Sequence, residues 1–335
     1  MVRADEITVV IQGGYYRGTT EHVVASVRKN LPGARVIYST CDPRVPETLS
    51  ICDQILVSED PGCFVYDACR KLAPNNVNRQ IINTLAALKE VQTPYALKIR
   101  TDFCLDGDSF LKYFDCFPLV DERYRIFQHQ VLSCSFFTRN PRLEKTFPSF
   151  HPSDLALFGQ TRDLMKFFDI PLMTQEEAYW RINEPGYPAR YVPEQYIFIN
   201  CLKKNQLPVH CTQCNDCSPL SIEQTERYFA SNFVFLSYDQ FNIKPLKKGF
   251  SMYSRPLSYS SCLTYVEWMQ LYRKYVDASI GIPTTDKTRK MIKLLERRYR
   301  KKLKRETQRK RLCAVFQRSL ISLKRLLLPF AKISR

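Results

Sequence analysis

The chain has 335 residues, and its content of 44% apolar and 13% aromatic residues excludes a largely disordered protein. The formal net charge is +17, but residues 287–335 contain 19 Lys and Arg against 2 Asp and Glu, so this segment carries the whole excess. The rest of the chain is neutral, which argues against a nucleic-acid partner for the globular body.

The cysteines and the apolar runs of the sequence indicate the cellular compartment of the protein. The 13 cysteines are odd in number and scattered, which is typical of reduced thiols in the cytosol. The apolar run 7–11 is too short for a signal peptide and follows two acidic residues. No run approaches the roughly 20 apolar residues that span a bilayer. We therefore expect a cytoplasmic protein.

Strands and helices alternate in the first hundred residues. The β-branched run 7–11 ends in Gln12-Gly13-Gly14, which predicts a buried strand followed by a turn. Further strands are predicted at 34–39, 53–58 and 95–100, and helices at 20–30 and 78–91. This alternation predicts an α/β domain with a mainly parallel central sheet flanked by helices.

The pattern changes after residue 102. Strands are predicted at 126–138, 154–158 and 231–236, and a helix at 193–203, which begins with proline. The segment 281–285 indicates a boundary. We therefore expect one domain over residues 1–280 and a basic helical tail over residues 281–335.

The tail has two parts. Residues 287–311 are dominated by Lys and Arg, whereas 312–335 place apolar residues at helical spacing, with Arg318 and Arg325 on another side. A basic helix with one apolar face favours a position in a membrane interface. The alternative is a solvated helix packed on the body. We expect the segment 287–335 to bind an anionic membrane surface.

Polar residues follow two of the predicted strands. Gln12 and Gly13 come after the first strand, and Asp102 comes after the strand 95–100. In such sheets ligands bind beyond the carboxyl ends of the strands, so these residues are candidates for ligand contact. The alternatives are an ordinary turn for Gln12-Gly13 and a turn cap for Asp102.

The segment 75–103 resembles the middle of family-2 inverting glycosyltransferases, in which a helix opening in an Arg-Asn pair precedes a strand ending in Asp-x-Asp. Asn78 and Arg79 take the helix-opening position. Arg100-Thr101-Asp102 takes the Asp-x-Asp position, with Arg100 in place of the first Asp. The resemblance implies that Asn78, Arg79 and Arg100 contact the nucleotide donor, and that Asp102 holds a divalent cation, Mn²⁺ or Mg²⁺. Loss of the first carboxylate leaves metal dependence open, and a solvated surface charge is the alternative for Arg79.

A more extensive resemblance is to the WavE family of lipopolysaccharide-synthesis proteins. It depends on an ordered series of short motifs between residues 9 and 196: VVIQG, LPGARVIYST, SEDPG, NNVNRQI, LKIRTDF, RNPR, FHPSDLALFG and PEQY. The resemblance implies a GT-A-like fold and a role in assembling lipopolysaccharide or capsule sugars.

Two carboxylates are candidates for the base that deprotonates the acceptor. Glu194 opens a late helix, where family-2 transferases carry their base, and Asp154 is the second candidate. A helix start also stabilises a carboxylate without catalysis. His151 and Ser153 lie beside Asp154 and are expected on the acceptor side, with an ordinary loop as the alternative.

The segment 210–217 contains one histidine and three cysteines. Their spacing could supply ligands for zinc or an iron–sulfur cluster. A structural zinc site usually takes a second ligand pair from a distant segment, and the sequence offers no clear pair. A cysteine-bearing loop is the favoured interpretation.

We expect a nucleotide-sugar-dependent glycosyltransferase that acts on a cell-surface polysaccharide precursor at the inner face of the bacterial cytoplasmic membrane. The analogy with family-2 enzymes implies inversion at the anomeric carbon. One alternative is a sugar nucleotidyltransferase, although the segment 14–18 matches its glycine-rich loop poorly. The other is a non-catalytic, membrane-docked scaffold, which the Arg100-x-Asp102 turn keeps open.

Overall fold

The computed structural model describes residues 2–45, 51–66, 72–143, 146–246 and 262–282, and scattered positions between 290 and 308. The chain divides into two compact units, residues 1–282 and 283–335, which are described separately.

The first unit contains nine strands and eight α-helices within the described ranges. The strands are β1 (Ile7–Gln12), β2 (Arg35–Thr40), β3 (Gln54–Val57), β4 (Tyr95–Arg100), β5 (Phe103–Leu105), β6 (Val131–Cys134), β7 (Ala156–Gln160), β8 (Phe233–Leu236) and β9 (Ile243–Pro245). The helices are α1 (Thr19–Asn30), α2 (Val77–Lys89), α3 (Thr161–Phe168), α4 (Gln175–Ala178), α5 (Pro193–Lys204), α6 (Pro219–Asn232), α7 (Tyr238–Phe241) and α8 (Tyr265–Tyr275). Short 3-10 helices lie at Ala4–Glu6, Ser109–Tyr113 and Glu122–Tyr124.

Seven strands form the central sheet in the order β3-β2-β1-β4-β7-β6-β8. The strands β3, β2, β1 and β4 are parallel, β7 is antiparallel to both of its neighbours, and β8 is parallel to β6. The strands β5 and β9 form a separate antiparallel pair. The predicted GT-A-like α/β architecture, a mainly parallel central sheet flanked by helices, is confirmed by this sheet.

The apolar pattern explains why the sheet is central. All six residues of β1 are buried, as expected for a parallel strand covered on both faces. The helix α1 buries Val23, Val24 and Val27, and α2 buries Ile81 and Leu88. The helix α2 packs on β1 and β2, while α6 and α8 pack on β8.

The turn after β1 requires glycine. Gly13 has a φ of +146°, and a Cβ built on it would lie 2.4 Å from Thr101 Oγ1. The turn therefore brings the end of β1 directly against the residue that follows β4.

The second half departs from the sequence prediction in three strands. The predicted strand 126–138 is only Val131–Cys134, because backbone N–H groups before it bond to side-chain acceptors: Ile126 to Asn232 Oδ1, and Gln128 to Asp163 Oδ1. The predicted strand 154–158 begins two residues later. The predicted strand 231–236 is shortened, since residues 231 and 232 end α6.

In the second unit, the described positions between 290 and 308 are helical and exposed. The predicted amphipathic segment 312–335 lies outside the described residues. In the part of the chain that the structure describes, no helix combines the length and apolar character needed to cross a membrane.

Candidate functional site

Two basic side chains project from one face of β4. Lys98 and Arg100 are two residues apart, so they share a face of the strand. The Lys98 side chain is completely buried, whereas that of Arg100 at the strand's carboxyl end is 27% exposed. Buried cations are costly unless they are paired. The partners of these two side chains therefore define the site.

Arg100 and Asp102 form a two-pronged ion pair. Arg100 Nε donates to Asp102 Oδ1 at 3.0 Å, and Nη2 donates to Oδ2 at 2.8 Å. The Asp102 side chain is only 5% exposed, so the guanidinium is the more accessible member of the pair. Planar guanidinium and carboxylate groups match in this geometry and hold each other in a fixed orientation.

Lys98 is paired with Asp154. Its Nζ donates to the Asp154 backbone carbonyl and lies 3.5 Å from Oδ2. The Phe168 ring lies on another side, with its centroid 5.8 Å from Nζ. Burial lowers the pKa of Lys98 and the Asp154 charge opposes that shift. Because β7 runs antiparallel to β4, the residues that precede β7 meet the carboxyl end of β4.

Glu194 begins α5 beside this buried pair. Burial, followed by the charge of Asp154, raises the pKa of Glu194 to about 7, while Arg139 and Arg100 oppose the shift. A fifth of its side chain remains exposed. Such a carboxyl exchanges a proton near neutral pH, which is the property a general base needs. Glu194 is thus partly accessible to a ligand, and its pKa is close to neutral pH.

His151 lies against Glu194 and is uncharged. Its Nε2 is 3.6 Å from Glu194 Oε2, too long for a hydrogen bond. Burial, together with the Arg139 charge, holds the pKa of His151 well below its usual range. Its buried Nδ1 has no hydrogen-bond partner in the described part of the chain. The preceding residue, Phe150, has a φ of +54°, a strained conformation for a bulky side chain.

Ser153 is used in a backbone turn. Its Oγ accepts from Leu155 N at 3.3 Å, and its own N–H donates to Thr138 Oγ1 at 3.0 Å. These bonds fix the segment between His151 and β7. The Ser153 hydroxyl thus holds a backbone turn, and the acceptor-side role of Ser153 stays a prediction.

Gln12 lies beside Arg100, because the two residues are partners in the β1–β4 register. Gln12 is 5% exposed, and its Oε1 has no hydrogen-bond partner among the residues described. Buried polar atoms are normally satisfied, so an unpaired one requires a reason. Gly13 follows, packed against Thr101. Gln12, Gly13, Arg100 and Asp102 thus meet at one edge of the sheet.

Asn78 and Arg79 at the start of α2 have other partners. The Asn78 amide bonds to both the N–H and the carbonyl of Met173, at 2.8 and 3.0 Å. Arg79 binds Asp60 through two hydrogen bonds of 2.7 and 2.6 Å. Neither side chain forms an ion pair or hydrogen bond with Arg100 or Asp102 in the described structure. Their donor-binding role stays a prediction.

The residues at Asp102 do not fit a divalent cation. Both carboxylate oxygens are bonded to Arg100, and Mg²⁺ or Mn²⁺ would need several further oxygen ligands. No group of three His, Cys, Asp or Glu residues suited to a metal occurs within the described ranges.

The cysteines of segment 210–217 have separate environments. Cys211 and Cys214 are buried and Cys217 is exposed. Cys211 Sγ donates to the Gln213 carbonyl at 3.4 Å. Burial raises the pKa of Cys211 to about 12 and that of Cys214 to about 11. Burial by itself therefore favours the protonated thiol at both positions.

Sequence reasoning missed Lys98, Arg139 and Tyr238. Lys98 was detectable as a basic residue two positions before Arg100 in an otherwise apolar strand. Arg139 belongs to the RNPR motif, and its charge acts on both Glu194 and His151. Tyr238 interacts electrostatically with Asp102, and its buried hydroxyl has no hydrogen-bond partner in the described part of the chain. No local pattern marks Tyr238.

The fold defines an α/β protein, and its candidate site lies beyond the carboxyl ends of the parallel strands β1 and β4. The sequence matches the family model for WavE lipopolysaccharide synthesis over residues 7–308. The chain belongs to this family. A comparison with curated proteins gives no match.

Two solved structures with similarity to this chain are glycosyltransferases. GlyE of Streptococcus pneumoniae TIGR4 is 14% identical over 60% of this chain, with a TM-score of 0.31, and this chain covers 44% of its length. Galactosyltransferase LgtC, solved in complex with donor and acceptor sugar analogues, is 11% identical over 83% of this chain and 98% of its own, with a TM-score of 0.34. At these TM-scores, nothing about the substrates of this chain follows from either structure.

Proposed function

We propose that the protein is a glycosyltransferase of lipopolysaccharide synthesis, which moves a sugar from a nucleotide-sugar donor to a hydroxyl of a saccharide acceptor with inversion. Membership of the WavE family supports the pathway. The observation that carries the reaction is Glu194, a partly exposed carboxyl with a pKa of about 7 at the ligand-binding edge of the sheet.

In the proposed step, an acceptor oxygen forms a bond to the anomeric carbon while its proton passes to the Glu194 carboxylate. The bond between that carbon and the donor diphosphate oxygen breaks, and its electron pair leaves with the diphosphate. Attack from the face opposite the leaving group inverts the anomeric centre. A carboxylate with a pKa near the working pH suits this proton transfer.

Glu194 is favoured over Asp154 because of their partners. The Asp154 side chain is 3% exposed and lies beside Lys98, so its charge is paired inside the protein and is hardly accessible to an acceptor. Glu194 is more accessible and lies against His151, which belongs to the predicted acceptor side. In this proposal, Asp154 positions and tunes Glu194 rather than accepting the proton.

Turnover measurements test the assignment. Nucleotide-sugar donors are mixed with enzyme and a lipopolysaccharide-precursor fraction, and release of nucleoside diphosphate is followed. Glu194→Gln should lower turnover by roughly 10²–10⁴-fold while leaving donor binding intact. The exposed Glu176 offers a matched control, and Glu176→Gln should behave as wild type. Loss of turnover in Asp154→Asn alone would reverse the assignment.

The same assay separates the alternatives. Release of pyrophosphate from a nucleoside triphosphate and a sugar phosphate would identify a nucleotidyltransferase. Failure to bind any nucleotide would favour a non-catalytic scaffold.

The basic tail, residues 287–335, supports a position of the enzyme at the membrane surface. The excess charge of +17 lies in residues 287–335, and an anionic leaflet attracts such a segment by about 1 kcal/mol for each basic residue near the surface. We include attachment to the cytoplasmic face of the membrane in the proposal, since it would hold the enzyme close to a lipid-linked acceptor.

A further inference from the structure

The accessible group at the donor edge is a cation. Arg100 ends β4, where ligands bind in parallel sheets, and its side chain is 27% exposed, against 5% for Asp102. Two of its five N–H donors bind Asp102. The other three make no hydrogen bond to any residue that the structure describes, so they are available to an anionic ligand.

Asp102 makes this guanidinium rigid. Its two oxygens hold Nε and Nη2 at 3.0 and 2.8 Å, which fixes the plane of the group. A donor group held in place before the ligand arrives stabilises developing charge without a cost of reorganisation. In the Arg100-x-Asp102 turn, the carboxylate thus orients the guanidinium instead of binding a metal ion.

An independent observation marks the same place as a ligand site. Gln12 is 5% exposed and lies opposite Arg100 in the β1–β4 register, and its Oε1 has no partner in the described ranges. A ligand with an N–H or O–H group would satisfy this oxygen. A nucleotide offers such groups on its base and ribose, and phosphate oxygens for the guanidinium.

The basic and acidic side chains around Arg100 are balanced. Lys98 and Arg139 also lie in this cluster, since Lys98 is an electrostatic neighbour of Arg100 and Arg139 acts on Glu194. Asp102, Asp154 and Glu194 face the same cluster, so the preference for an anion lies in the accessible guanidinium face of Arg100 and its remaining N–H donors rather than in a net charge.

We propose that Arg100, held by Asp102, binds the diphosphate of the nucleotide donor in place of a divalent cation, so that donor binding is independent of metal. This inference rests on the proposed transferase function. When the bond from the anomeric carbon to the diphosphate breaks, the leaving oxygen gains the electron pair. The Arg100 N–H groups donate to the diphosphate oxygens and stabilise that charge.

Binding of UDP, GDP, ADP and CDP to the full-length protein tests this proposal, with either EDTA or Mn²⁺ present. The nucleotide that binds should do so with the same Kd, within twofold, in both conditions. Arg100→Gln should weaken binding at least tenfold. Arg123→Gln is the matched control, because Arg123 makes the same two-pronged pair with Asp121 two residues away, on the surface. It should leave Kd unchanged.

Arg100→Gln leaves the buried Asp102 carboxylate without its partner and can fail to fold. The double variant Arg100→Gln/Asp102→Asn removes both charges and should fold, as judged by circular dichroism, yet still bind nucleotide at least tenfold more weakly. Binding that requires Mn²⁺, or wild-type affinity in the folded double variant, would overturn the inference and leave the transferase function standing. Absence of nucleotide binding in every condition would overturn both.

Discussion

Lys98 Nζ lies 3.5 Å from Asp154 Oδ2, and both side chains are inaccessible to solvent or nearly so. This pair joins the middle of β4 to the segment that precedes β7. It places a negative charge next to Glu194, and that charge is one reason why the Glu194 pKa is raised. A buried lysine therefore supports the proposed base through an intermediate carboxylate.

Breaking this pair should be costly. Lys98→Met removes the cation and leaves Asp154 buried and unpaired, which we expect to lower the free energy of unfolding by about 3–5 kcal/mol. Lys98→Met/Asp154→Asn should recover part of that loss. Urea unfolding of both variants measures the difference. Lys204→Met is the control, because Lys204 binds Asp169 on the surface, and its cost should stay below about 1 kcal/mol. Equal costs at both lysines would contradict a pairing role for Lys98.

The dependence of kcat/KM on pH should follow the ionisation of Glu194. As a base it acts when ionised, so kcat/KM should rise with pH through an apparent pKa of about 7. Asp154→Asn removes a neighbouring negative charge and should move this limb to lower pH. In Glu194→Gln the limb should vanish from the residual activity. If kcat/KM of Glu194→Gln still rises through a pKa of about 7, another group is responsible for the pH dependence.

Stability should depend on the same carboxyl with a defined sign. The folded-state pKa of about 7 is above the ordinary value of 4.5, so the folded protein holds the proton more tightly. Between about pH 4.5 and 7 the unfolded state binds fewer protons, and the free energy of unfolding should fall as pH rises. Glu194→Gln should reduce this slope. Urea titrations at several pH values measure it, and an unchanged slope would contradict the buried setting.

Gly13 should resist substitution. Gly13→Ala would place a methyl group 2.4 Å from Thr101 Oγ1 at a φ of +146°, so we expect a loss of about 1–3 kcal/mol in stability. Gly14→Ala is the adjacent control, since a Cβ built on Gly14 would lie 3.6 Å from its nearest neighbour, the Tyr16 ring. Adding Thr101→Ala to Gly13→Ala should relieve the contact but not the backbone strain. Full recovery in that double variant would show that the contact alone matters.

The tail should control membrane binding. Truncation after Ile282 should give a protein that still binds nucleotide but no longer co-sediments with anionic vesicles. The full-length chain should leave such vesicles as salt rises, because surface charges are screened over about 8 Å at physiological ionic strength. Equal sedimentation of the two forms would show that residues 283–335 are not the anchor.

The sequence predicted the first four strands well because each is a short apolar run that local pattern describes. Lys98 was missed because its partner, Asp154, lies 56 residues further along the chain, and local periodicity shows only a polar residue in a strand. Asn78 illustrates the reverse problem. The resemblance to family-2 glycosyltransferases predicts that Asn78 contacts the donor. In the structure, its amide is bonded to Met173, which lies 95 residues further along the chain.

The reversed direction of β7 has a consequence for how this site can change. The residues of the proposed donor side follow β1 and β4, whereas His151 and Ser153 of the proposed acceptor side precede β7. The two halves of the site are therefore encoded by segments that share no connecting loop. Insertions or exchanges between β6 and β7 can reshape the proposed acceptor side while the register of Gln12 and Arg100 stays intact. In this layout, the proposed acceptor side can change in sequence while the proposed donor side is conserved.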